Sequence, residues 1–514
     1  MQSGLRRLFD YVPPARKAMI VPSLALSTVT SKDKSTVYAS SDTLFRWAIF
    51  GRDSLEVAED LMVFKPKLVG NILRKLASLQ GLTRNDKNEE EPGKIIHEYR
   101  TMSVNGKTID KTSQRIFHEL AFKWGGDEKE LAYYGSIDST PHFLRALGRY
   151  CHQHGSGIMK DKIRQRNGNT ITMQESAKSA IDWLVYKLES SESGLLEYKR
   201  INPHGILNQV WKDSEEFYVH ENKEIANHEA PIASIEVQGL AYDGLVTASE
   251  FFPAKAEKYL KIAHKLRDRT LKLLWQENRK YFALGLDYDP SGTFRIINTS
   301  TANPASLLDT GFFDDLTDTM RENYVTAIVT KIMSKDFLTN AGIRSRALSF
   351  AHLINFWDYH GSYVSWPKET YDIAKGLRRQ GFPKLARQLE NRLLNIVLRT
   401  YEYPEFVYVD EWGRVLNGAP TSQTHGEIIL IGGKNKPERV QAWTVSAILA
   451  IISRRFEKKI KRTPKKKSEP WQDTLQANIL IQIPDIHRYI NPLKLLMNYP
   501  THKYKLTDDD RAAV

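Results

Sequence analysis

Cysteine is almost absent: Cys151 is the only one in 514 residues. It has no intramolecular partner, so neither a disulfide framework nor an oxidising compartment is indicated. Long apolar runs are missing too. The most apolar stretch, Val445 to Ile452, is less than half of the ~20 residues that span a bilayer, and Arg454 and Arg455 follow it closely. The N-terminus, MQSGLRRLFDYVPPARK, lacks the apolar core of a secretory signal. The expectation is a soluble, cytoplasmic protein with no membrane partner. There is no glycine-rich phosphate loop and no strand–helix alternation, which argues against the nucleotide-binding α/β classes. His97, His142, His220, His228, His352 and His360 show no ligand spacing, so no metal site is expected.

What is present is enough apolar surface for a large core, with 41% hydrophobic and 10% aromatic residues, which excludes wholesale disorder. The net charge of +13 is local rather than general. Nine basic residues and one acid lie between Arg454 and Lys467, so that segment alone carries +8. Such a block reads as a solvated linker, with polyanion binding as the alternative, and argues against a whole-domain nucleic-acid interface.

Apolar residues recur at helical spacing over Leu44–Phe64, Leu68–Leu79, Phe143–Cys151, Ala177–Leu188, Val237–Phe252, Ala256–Trp275, Tyr324–Met333, Tyr371–Leu377, Leu385–Leu398 and Ala442–Ile452. About a dozen helices joined by loops rich in Gly, Pro, Trp, His and acids predict an all-α toroid of paired helices with functional loops at one end. The expected organisation is a lead-in segment (1–40), a helical toroid (41–453), a basic linker (454–468) and a C-terminal appendage (469–514). Asn85–Glu91 (NDKNEEE) reads as a non-globular acidic loop.

Aromatic and acidic residues gather in those loops: FRWAIFGRDSL (45–55), YYGSIDSTPHF (133–143), NQVWKDSEEF (208–217), PIASIEVQG (231–239), YHGSYVSWPKE (359–369), YEYPEFVYVDE (401–411) and VQAW (440–443). Sugar sites need both types, aromatic faces for the apolar side of the ring and carboxylates or amides for its hydroxyls. In order, with EEEPGKIIHEYR (89–100) and GIRSRALS (342–349), these segments resemble the signature of the amylo-α-1,6-glucosidase family, the catalytic part of glycogen-debranching proteins. The resemblance covers roughly Ser41 to Ile452.

That resemblance implies an (α/α)6 barrel with a pocket at its mouth and an inverting mechanism. One carboxylic acid must protonate the leaving oxygen while a second carboxylate activates water on the opposite face. The resemblance puts Asp213, in NQVWKDS, at the acid position and Glu405, in YPEF, at the base position. Glu369 and Glu411 remain alternative bases. It also implies sugar binding by Arg52 and Asp53, by Trp47, Trp211 and Trp366 as walls, and by Glu236, Gln238, His360, Gln441 and Trp443. Asp138 reads as a helix cap or a pocket wall. Arg52 and Asp53 are expected to follow a helix. The implied partner is a carbohydrate, an α-1,6 glucosyl stub or a small glycoside, with no cofactor; a non-catalytic glycan-binding barrel is the competing class. Oligomeric state is left open.

Three departures from the family stand out. A β-rich N-terminal domain and a 4-α-glucanotransferase domain are not expected here. Glu215 and Glu216 replace the aromatic after WKDS. The loop ending at Trp366–Pro367 has extra residues, Tyr363 among them, and ends in Lys368–Glu369 instead of a His–Asp pair.

Overall fold

The structure is a computed structural model that describes residues 14–42, 44–354, 358–400, 402–416, 437–456 and 468–483. The helices are α1 (Pro14–Val29), α2 (Gly51–Leu61), α3 (Pro66–Ser78), α4 (Lys111–Trp124), α5 (Ser139–His154), α6 (Met173–Glu189), α7 (Ile235–Phe251), α8 (Ala256–Leu274), α9 (Asp318–Ile332), α10 (Pro367–Arg379), α11 (Pro383–Thr400), α12 (Ala442–Phe456) and α13 (Pro470–Gln482).

Six elements form a closed inner ring. α2 packs on α5, α5 on α7, α7 on the 3-10 turns of Asn303–Asp309, these on α10, α10 on α12, and α12 again on α2. Each has an outer partner: α3, α6, α8, α9 and α11 follow their inner elements in sequence, and α1 closes the ring by packing on α12. This is an (α/α)6 toroid, the architecture that the resemblance implies and a form of the paired-helix toroid that the spacing predicts.

Local sequence fixes where these elements begin. Proline stands in the first turn of α3, α10 and α11, where its missing N–H costs nothing. Thr172 and Glu175 form a reciprocal capping box at the start of α6. Short antiparallel strands at the mouth run straight into inner helices. Strand Ile49–Phe50 leads into α2, Ile232–Ser234 into α7, and Val364–Ser365 through Trp366 into α10. At Gly51 a Cβ would lie 2.1 Å from the Ile96 carbonyl oxygen, so only glycine lets α2 begin against that backbone.

The structure moves several sequence boundaries. α1 belongs to the ring, so the toroid reaches back into the expected lead-in. Arg52 and Asp53 sit in the first turn of α2 rather than after a helix. Asn88, Glu89 and Glu90 of NDKNEEE are buried. Arg454 and Arg455 belong to α12 and pair with Glu390; the rest of the basic linker, 457–467, lies outside the described residues. Of the appendage, α13 packs on α9 and α11, with the Gln472 amide donating to the Gln380 carbonyl at 3.0 Å; residues 484–514 lie outside the described residues. No helix among the described residues is long and apolar enough to cross a membrane.

Candidate active site

The inner elements all present their N-terminal ends to one mouth. First-turn or capping residues therefore converge there: Arg52 and Asp53 from α2, Asp138 before α5, Glu236 from α7, Asn303 from the 3-10 turns, Lys368 and Glu369 from α10, and Gln441 and Trp443 at α12. Helix N-termini tolerate buried acids because their free N–H groups and dipoles favour negative charge. A cavity lined by Arg52, Asp138, Trp211, Glu236, Asn303 and Glu369 opens below this rim and continues down to Glu56, His142, Arg145, Asp309 and Asp372.

The two carboxylates expected to do chemistry come from loops laid over the rim. Asp213 is partly accessible and accepts a 2.6 Å hydrogen bond from Tyr359 Oη. Burial raises its pKa despite that bond and the nearby Arg52 guanidinium. Its loop is anchored from below by Glu89, whose Oε1 accepts the Ile201 and Asn202 amides at 2.9 Å each and whose Oε2 accepts the Gln209 side chain. Glu405 is buried. Its N–H donates to the Glu438 carbonyl at 2.9 Å, and the Glu438 N–H donates back to Oε2 at 3.1 Å. Burial, reinforced by the charges of Glu438, Asp53 and Asp213, pushes Glu405 up to about 8 against that amide bond.

The alternative bases have other surroundings. Both oxygens of Glu369 are engaged, one by the fully buried Lys212 ammonium and one by Ser345 Oγ at 2.9 Å. Lys212 is thus a core ion-pair residue rather than a surface partner of Asp213. Glu411 is exposed on a turn, and its backbone carbonyl accepts Arg344 at 3.1 Å.

On the elements and loops of the mouth, five buried polar atoms have no hydrogen-bond partner among the described residues: Glu236 Oε1, Gln441 Oε1, Trp443 Nε1, His360 Nε2 and Asp358 Oδ2. Glu236 Oε2 already accepts the Trp211 indole and the Asn303 amide, each at 2.9 Å. Burial lifts Glu236 to about 7, as it does Asp53 against the pull of Arg52. Gln441 Nε2 donates to Asp53 at 3.3 Å. His360 Nδ1 lies 3.1 Å from Ser214 Oγ, which donates to Asp358 Oδ1 at 2.9 Å. This chain assigns the ring proton to Nδ1 and leaves Nε2 an acceptor, consistent with burial holding His360 well below its ordinary pKa.

Trp211, Trp366 and Trp443 share an apolar cluster with Val364, Phe406 and Tyr408. Trp366 is buried and donates to the Tyr359 carbonyl at 2.6 Å, so it supports the wall from behind. Two expected residues do not join the site. The Gln238 side chain is spent on backbone, accepting from Leu196 N–H and donating to the Leu196 and Ser234 carbonyls. Its position two residues beyond Glu236 turns it off the pocket side of the helix. Trp47, at a left-handed φ of 64°, packs edge-on to Tyr38 and carries Arg46 on its ring.

Sequence reading missed the deeper half of the cavity. Lys368 Nζ bridges Glu56 and Asp372 at 2.9 Å each, and Glu59 pairs with Arg145 at 2.7 Å and Arg149 at 3.0 Å. Lys375 joins Asp60 and Asp372. The helical spacing of these charges on α2, α5 and α10 was the available signal; an acid on the buried face of a helix needs a partner. Among the described residues no cluster of His, Cys, Asp and Glu is arranged to hold a metal ion.

Residues 215–418 match the family model for trehalase, less than half of the chain. No curated protein matches it in sequence. Among solved structures, a mannosylglycerate hydrolase of the GH63 type from Thermus thermophilus, in complex with glucose, superposes with a TM-score of 0.50. It is 12% identical over 86% of this chain and 99% of the other. The same hydrolase in complex with Tris and D-glycerate gives the same figures. The fold is the six-hairpin glycosidase toroid. The family model and the solved structures are both of glycosidases, and the solved structures share the fold of this chain, while the amylo-α-1,6-glucosidase resemblance is a finer reading.

Proposed function

We propose that the protein is an inverting glycoside hydrolase that releases a terminal glucosyl unit. The observation that carries this reading is the set of buried polar atoms on Glu236, Gln441, Trp443, His360 and Asp358 that have no partner among the described residues, on the same elements and loops of the mouth as two carboxylates of raised pKa. Unsatisfied buried donors and acceptors are costly; a polyhydroxylated ring satisfies many at once. Asp213 gives its proton to the glycosidic oxygen as the bond to C1 breaks. Glu405 takes a proton from the water that forms the new bond to C1 from the other face. The positive charge gathering on the ring is stabilised by the acids at the rim.

The motifs favour an α-1,6 glucosyl stub on a glycogen-like glucan as substrate. Likeness to a structure described as a mannosylglycerate hydrolase favours the second reading, a small glycoside. Glucose release should be measured from a phosphorylase-trimmed limit dextrin and from small α-glucosides and α-mannosides, with Asp213→Asn and Glu405→Gln beside the wild type. The expected result is loss of about 10²–10⁴-fold in kcat in each variant. Full activity in Asp213→Asn would refute the acid assignment, and inactivity on every glycoside would favour a glycan-binding barrel.

A further inference from the structure

Tyr359 stands where the two catalytic loops meet. Its hydroxyl donates to Asp213 Oδ1 at 2.6 Å, and its carbonyl receives the Trp366 indole at 2.6 Å. Its ring lies 4.3 Å from His360 and 6.1 Å from Phe406, the residue after Glu405. Backbone and ring are therefore both fixed, and the hydroxyl has one direction to point. Burial and the charge of Asp213 keep the phenol protonated far above neutrality, so it donates throughout the working range.

A carboxylic acid carries its proton on one oxygen, and the oxygen already receiving an O–H is the poorer place for it. We propose that Tyr359 is a positioning residue for Asp213, holding Oδ1 so that Oδ2 carries the proton and delivers it to the leaving group. This rests on Asp213 being the general acid. As the Oδ2–H bond breaks and the glycosidic oxygen takes the proton, Asp213 becomes a carboxylate and the bond from Tyr359 strengthens. It thus stabilises the transition state more than the ground state. The other charged groups facing Asp213 are Arg52 from α2, Asp138 at the start of α5, and Glu405 across the pocket.

The test is a ¹³C-carboxyl NMR titration of Asp213 in the full chain, its resonance assigned by loss in Asp213→Asn. Tyr359→Phe is expected to raise the Asp213 pKa by about one unit, a tenfold change in the ionisation constant. It should shift the pH profile of kcat/KM with it, lowering kcat while KM changes little. Replacing Tyr359 with 3,5-difluorotyrosine, a stronger donor, should move both the other way and keeps the test available if the phenylalanine variant folds poorly. An Asp213 titration that ignores both changes overturns the proposal. A titration that responds while Asp213→Asn keeps full activity also overturns it, and separately identifies the acid assignment as the failing premise.

Discussion

At the scale of single residues, the site is a crowd of acids that cannot all ionise near neutrality. Asp53 and Glu236 are each lifted to about 7 and Glu405 to about 8, in every case chiefly by burial. A base must be deprotonated to act, so the rising limb of kcat/KM against pH is expected at about 7–8 and not near the ordinary 4.5 of a glutamate. Interacting acids titrate as a set, and the limb belongs to the set. A pH profile rising through 4–5 would contradict this electrostatic picture. The sequence singles out Asp213 because WKDS sits in a run of motifs. The resemblance prefers Glu405 over Glu369 and Glu411 as the base, but the sequence carries neither the Lys212 partner of Glu369 nor the exposure of Glu411 that sets their surroundings apart. Tyr359 lay in a recognised segment, but the contact that matters to it spans 146 residues.

At the scale of elements, the inner helices were legible from their spacing, and their starts were not. Leu44–Phe64 reads as one apolar run, yet α2 begins only at Gly51, where the backbone of Ile96 approaches. α1 carries Pro22 in its interior, a residue that breaks the helical signal while the ring holds the helix in place. The Asn303–Asp309 element is a pair of 3-10 turns that leaves no 3.6-residue period to detect. These starts place the site, which gives a prediction. Gly51→Ala must push α2 off the Ile96 carbonyl, and with it Arg52 and Asp53. The expected loss is about 1–3 kcal/mol of stability with an activity loss out of proportion to it. Thermal unfolding and kcat/KM measured together check this; unchanged values in both would show that the helix start has slack.

At the scale of the whole molecule, the toroid is lined by ions where a bundle of this size would ordinarily be apolar. Two populations of acid pull stability in opposite directions with pH. Asp53, Asp60, Glu236 and Glu405 have raised values in the fold. Their contribution is full below their unfolded pKa near 4 and is lost as pH rises through about 7–8. Glu56 behaves oppositely: burial would raise it, but Lys368, His142 and Lys375 bring it to about 2, so its contribution is lost only in strong acid. The melting temperature of the ligand-free protein is therefore expected to fall between pH 5 and pH 8, and Glu405→Gln should flatten that decline. A melting temperature that climbs over the same interval would contradict the raised values.

Closure of the ring has a temporal side. α1 packs on α12, and the seam is stitched by Ser40 Oγ donating to Glu438 at 2.7 Å and by the Ala442 N–H donating to the Ala39 carbonyl at 2.8 Å. The first outer helix thus leaves the ribosome long before its partner exists. At about 5–20 residues per second, the interval is roughly 20–80 s. For that time α1 lacks the helix it packs on, and the pocket lacks the wall that carries Glu405. The newborn chain can assemble the Asp213 side of its pocket early, but the pocket is complete only when the last inner helix seals the circle.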